Sequence, residues 1–98
     1  MYDVKVAYEL LKFDPTIDCD HKFINFPLET EILSVELRGN TPELCINYMA
    51  PKESFEIDTS KQIHFIICKC EFAKDVLAKY RYLSNITLNR KKFAVFCN

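Results

Sequence analysis

The sequence predicts a mainly β protein, a compact antiparallel β barrel or sandwich of about six strands with one short helix near residues 72–80. Three observations carry this. Residues 31–38 and 43–50 alternate apolar and polar side chains on either side of the turn sequence Arg38-Gly39-Asn40-Thr41-Pro42, the pattern of a half-buried hairpin. Ile63 to Cys68 is apolar on both faces, which suits a central strand covered on each side. The best helical period is Phe72, Val76 and Tyr80, at i, i+4 and i+8.

The first segment has two readings. Tyr2, Val4, Val6, Tyr8 and Leu10 alternate as on one face of a strand, while Val4, Ala7, Tyr8 and Leu11 fit a helical stripe. Its β-branched and aromatic content favours the strand. Asp14 to His21 holds Pro15 and three aspartates and reads as a loop, followed by a short extended piece that stops at Pro27. In the strand at Glu31–Arg38, Leu33, Val35 and Leu37 point toward the core, and Ile32, Ser34, Glu36 and Arg38 away from it. Gly39 and Asn40 suit the positive φ of the turn. Leu44, Ile46 and Tyr48 oppose Cys45, Asn47 and Met49 along the next strand, which Pro51 ends. The polar segment after it offers Phe55 and Ile57 as strand contacts. The helix at 72–80 carries an Asp75–Lys79 pair on its outer face. Arg81–Leu88 and Lys92–Cys97 form a closing hairpin through Asn89-Arg90-Lys91.

Ninety-eight residues, 49% of them hydrophobic, make one domain, 1–98, with a normal core. The net charge of -1, from 13 basic and 14 acidic residues, argues against a dedicated duplex-binding protein. A single glycine excludes phosphate loops of the Walker or Rossmann kind. The N-terminus is no secretory signal, and no stretch approaches the ~20 apolar residues of a membrane span, so the chain is read as intracellular and free of membrane. There the five cysteines read as free thiols, mostly buried.

The segment His64-Phe-Ile-Ile-Cys-Lys-Cys-Glu-Phe72 concentrates the suggestive chemistry. On a strand, His64, Cys68 and Cys70 share a face, and Cys45 or Cys97 would be the fourth ligand of a zinc site. The C-x-C spacing inside an apolar strand instead reads as core, so neither metal nor cofactor is expected. A cysteine nucleophile needs a lowered pKa and a base. His21 lies beside Cys19 among carboxylates that oppose a thiolate, so no catalytic residue is expected. The acidic loop of Asp14, Asp18 and Asp20 lacks the glycine and distal glutamate of an EF-hand. Asn85-Ile-Thr matches a glycosylation pattern that has no meaning inside a cell. The concentrated positive charge is Arg90-Lys91-Lys92, with Arg81 and Tyr82 as neighbours. Arginine beside aromatic faces suits a phosphorylated ligand or a protein partner, and the bland alternative is a charged tip guarding an edge strand.

The motif order resembles a family of small bacteriophage-encoded β domains of unknown function. Tyr8 and Leu10, Pro27, Ile32 to Val35, Pro42 and Leu44, and Ala50 and Pro51 fall in the family's order, and Tyr80, Tyr82, Leu83 and Phe93 to Phe96 continue it. Ser84 stands where the family has a glycine, and the glycines of its middle turn are absent. The resemblance implies a strand at the N-terminus and a phage product acting in the host bacterial cytoplasm. The expected function is that of a non-enzymatic accessory protein that antagonises a host defence or host enzyme. It would do so by stoichiometric binding of a host protein or a nucleotide-type signal molecule. Contact candidates are Arg81, Tyr82, Arg90, Lys91 and Lys92, then Arg38 and Tyr48. The alternatives are a single-stranded nucleic-acid-binding module, which the net acidity disfavours, and a minor virion component. Open edges and the apolar Phe93–Cys97 segment suggest a homo-oligomer.

Overall fold

Coverage on two faces explains the apolar run at 63–68. In the computed structural model, which describes residues 3–57 and 59–98, this run lies in β5 (Ser60–Lys69). Strand β5 pairs on one side with β2 (Cys19–Pro27) and on the other with β7 (Lys91–Cys97). With β6 (Arg81–Leu88) they form an antiparallel sheet in the order β2-β5-β7-β6. A second antiparallel sheet has the order β1-β4-β3, from β1 (Val4–Lys12), β3 (Glu31–Leu37) and β4 (Glu43–Pro51). The expected antiparallel sandwich is present, with seven strands among the described residues. The sheets do not close into a barrel.

All seven strands feed one core. Leu11, Phe26, Val35, Leu44, Ile46, Phe65, Ile67, Ile86, Phe93 and Val95 meet between the sheets. The sheets adjoin along β3 and β6, where Arg81 Nη2 donates to the Ile32 carbonyl at 3.4 Å. At the other side, β1 and β2 are the outer strands of their sheets. The outer face of the larger sheet carries a second cluster, Ile66, Cys68, Ala94 and Phe96, covered by Ala73, Val76 and Tyr80.

Both predicted hairpins form. Strands β3 and β4 join through a turn in which Gly39 takes φ +60°, which its missing Cβ permits, while Asn40 stays out of the left-handed region. Strands β6 and β7 join through Asn89 (φ 50°) and Arg90 (φ 68°), the two left-handed residues of a tight hairpin whose twist suits the flanking strands. Asparagine tolerates this conformation. Arginine bears a cost of roughly 1–2 kcal/mol there.

Several local expectations are corrected. Cys19–His21 is not loop but the start of β2, because it pairs with Ile66–Cys68. Buried Asp20 remains satisfied, its Oδ2 accepting the Asp14 N–H at 2.8 Å. In β3 the register shifts between Ile32 and Ser34. This bulge turns Ile32 into the core and leaves Leu33 46% exposed, the reverse of strict alternation. Phe55 lies in a short helix, α1 (Lys52–Glu56), and packs its ring on Tyr48, while Ile57 is exposed. The predicted helix is shorter than expected. One 3-10 turn (Cys70–Phe72) leads into α2 (Ala73–Leu77), and no Asp75–Lys79 ion pair forms among the described residues. The N-terminal strand is present, but its alternating Val4, Val6, Tyr8 and Leu10 face outward. Leu11 and Phe13, on the opposite phase, reach the core. Tyr2, the first residue of that alternation, lies outside the described residues.

Candidate functional site

Helix α2 lies over the outer face of the four-stranded sheet, and each of its flanks holds a distinct arrangement. Its position follows from the sequence. Lys69 ends β5, the turn at Cys70 reverses the chain, and Ala73 and Val76 set the apolar side of one helical turn onto Ile66, Cys68, Ala94 and Phe96. A five-residue helix has little stability alone, so this contact holds it.

Toward β6, α2 leaves a groove of about 420 Å³ with a mostly apolar lining that includes Ala73, Leu77, Tyr82, Ala94 and Phe96. The Tyr82 ring meets Phe96 edge-on, with centroids 5.7 Å apart. At Cys70 the groove adjoins a cleft of about 360 Å³ lined by the charged residues Lys69, Glu71, Lys91 and Lys92. Each volume lies in the range of roughly 300–1,000 Å³ common to small-molecule sites. Lys69 Nζ is 3.4 Å from Asp18 Oδ1, whereas Lys91 and Lys92 have no carboxylate partner among the described residues. Tyr82 pairs in register with Phe96, four residues along β7 from Lys92. The aromatic wall and the basic end are therefore about 13 Å apart at ~3.3 Å per strand residue.

Toward β2, α2 borders a hydrogen-bonded chain of rings. His21 Nδ1 and His64 Nε2 are 2.9 Å apart, and the Tyr80 hydroxyl is 2.8 Å from His64 Nδ1. Phe23 stacks on His64 at 4.3 Å between centroids. Only one proton fits between the two imidazoles, so the link survives with one ring charged and breaks when both are. Burial, then the nearby His21, holds the His64 pKa below its ordinary value.

The expected common face for His64 and Cys68 is real, with Ile66 between them. Cys70 leaves the strand and is exposed at the junction of groove and cleft. The fourth-ligand candidates lie elsewhere: Cys97 in the inner core, and Cys45 on β4 of the other sheet. Among the described residues no group of three or more potential ligands could hold a metal ion. Burial, then the adjacent Cys19, pushes the Cys68 thiol up to about 12, so it is a neutral packing group at ordinary pH. Burial likewise raises the Cys97 thiol.

Of the seven contact candidates, the fold gathers Tyr82, Lys91 and Lys92 around the groove and cleft. Arg90 sits exposed at the hairpin tip. Arg81 is at the opposite end of that hairpin, spanning the seam to Ile32. Arg38 is tied to Glu43 at 3.0 Å in the β3–β4 turn. Tyr48 is a core residue, 5% exposed, against Phe26 and Phe55. Sequence reasoning missed Lys69 and Phe96 as lining residues and the His21–His64–Tyr80 chain. No local signal marks the last, since His21 and His64 come from strands whose register is set only in the fold. Comparison with family models, curated proteins and solved structures returned no match.

Proposed function

We propose that this chain is a non-enzymatic binding protein whose groove between α2 and the β6–β7 hairpin takes a nucleotide-type ligand. The observation that carries the reading is the continuity of an aromatic, apolar groove with a cleft bearing two lysines unpaired among the described residues. A base would lie against the exposed Tyr82 ring, which buried Phe96 backs, and its phosphates would reach Lys91 and Lys92, with Lys69 in the same cleft. Stacking on an aromatic face and point-charge contacts from lysine are the ordinary means of holding such a ligand. The raised Cys68 thiol and the engagement of both histidines with each other support binding rather than nucleophilic chemistry. In the phage setting that the sequence resemblance implies, stoichiometric capture of a host signal nucleotide would be the biological role.

Titration calorimetry with mono-, di- and triphosphate and cyclic dinucleotides tests the reading. Binding should strengthen with phosphate number and fall about tenfold or more in Lys91→Glu, Lys92→Glu and Tyr82→Ala, by the loss of charge pairs and one stacking contact. No binding by any of these at millimolar concentration would overturn it. Binding only to single-stranded oligonucleotides, with a steep salt slope, would move the assignment to the nucleic-acid alternative.

A further inference from the structure

Strand β1 presents an unusual edge. It is the outer strand of its sheet, and its outward face exposes Val4, Val6, Tyr8 and Leu10 in an unbroken alternate row. Val6 and Tyr8 are 64% and 62% exposed. Edge strands are ordinarily blunted by charge, proline or brevity, because their free N–H and C=O groups template pairing. This one is nine residues long and carries an apolar stripe. Its other face bears Lys5 and Glu9, both exposed, placed symmetrically about Ala7. Neither has an ion-pair partner among the described residues, and the Lys5 ammonium rests 4.9 Å from the Phe55 ring centre.

We infer that β1 pairs antiparallel with β1 of a second copy of this chain, about a two-fold axis at Ala7. In that register Lys5 lies opposite Glu9 of the second copy, and Glu9 opposite its Lys5. On the outward face Val6 meets Tyr8 of the second copy, and Val4 meets its Leu10. Residues directly opposite across an antiparallel pair share a face, so the whole apolar row is matched by an apolar row. Charge selects this register over its neighbours. Centring the pair two residues earlier sets Lys5 against Lys5 of the second copy, and two later sets Glu9 against Glu9. A shift of one residue toward the N-terminus puts Asp3 opposite Glu9, and a shift of one the other way leaves both charges unmatched. The contact would join two three-stranded sheets into one of six. A two-fold axis lets the same patch serve both copies, so the assembly closes at the dimer.

The charge pattern supplies the test. Sedimentation equilibrium should show a dimer. Lys5→Glu or Glu9→Lys alone places two like-charge pairs in the interface and should weaken the dissociation constant about tenfold or more. The double variant K5E/E9K restores opposite charges and should recover the wild-type dimer, a rescue that misfolding cannot mimic. A wild-type chain that stays monomeric at millimolar concentration overturns the inference. A dimer indifferent to both single substitutions also overturns it, since the copies would then meet elsewhere. Groove and cleft lie on the other sheet, so nucleotide titration of the same variants separates this inference from the proposed ligand.

Discussion

His64 shows how much one side chain's neighbours decide. Its ring is held between His21 and Tyr80 by hydrogen bonds and under Phe23 by stacking. Burial and the facing imidazole keep its pKa below the ordinary 6.5. An unfolded chain takes up this proton near that ordinary value, whereas the folded chain resists it until lower pH. Between the two values the unfolded state binds more protons, so stability falls as pH falls. The contribution is complete above 6.5 and is lost as pH drops through the folded pKa of His64. Melting temperatures measured from pH 7.5 to 5 should decline through this window in the wild type and decline less in His64→Gln. Parallel curves would show that the ring pair does not couple to folding. The sequence placed His64 and Cys68 on one face, because alternation is local. The partner His21 was not legible, because it comes from a strand 43 residues away whose start was disguised by aspartates.

Strand β3 makes the corresponding point for an element. Strict alternation predicts Leu33 inside and Ile32 outside, and the bulge reverses both. Its cause is tertiary. The pairing with β4 places Ile32 opposite Tyr48 and Val35 opposite Ile46, and one extra residue between them lets both reach the core. Urea denaturation should therefore find Ile32→Ala costly, about 2–5 kcal/mol, as for a buried aliphatic truncation. Leu33→Thr should change stability by no more than about 0.5 kcal/mol, as for an exposed position. Equal costs at the two positions would remove the bulge. The hairpin itself was legible, because Gly39 and the flanking alternation are local signals. Helix α2 was legible as a helix but not in length, since a single apolar face on the sheet decides where it stops.

At the scale of the molecule, the fold sorts five chemically equal thiols into three environments. Cys70 is exposed, Cys19 and Cys45 are half-buried, and Cys68 and Cys97 are buried on opposite faces of the larger sheet. Alkylation of the native protein followed by peptide mass mapping should mark Cys70 first. Cys68 and Cys97 should be marked only as fast as the whole structure opens, because their strands are central. Early labelling of Cys68 would mean that α2 lifts from the sheet independently. The β7 segment carries a related lesson. Its apolar residues suggested an association surface, and the structure places them in the middle of a sheet, so the unpaired apolar row belongs to β1 instead.

The sequence by itself determined the mainly β class, the two hairpins, the two-sided burial of β5 and the presence of a short helix after it. Each follows from side-chain periodicity or turn chemistry within about ten residues, where the physics is local. The tertiary structure alone decided that Cys19 to His21 is a strand, that Tyr48 is core, and that the apolar face of β1 looks outward. It also brought Lys69 and Lys91 to one cleft and Tyr82 to the groove beside it, with Cys70 at their junction. Those outcomes depend on which distant strands share hydrogen bonds and on how one core is filled from seven strands at once. No local pattern carries that choice.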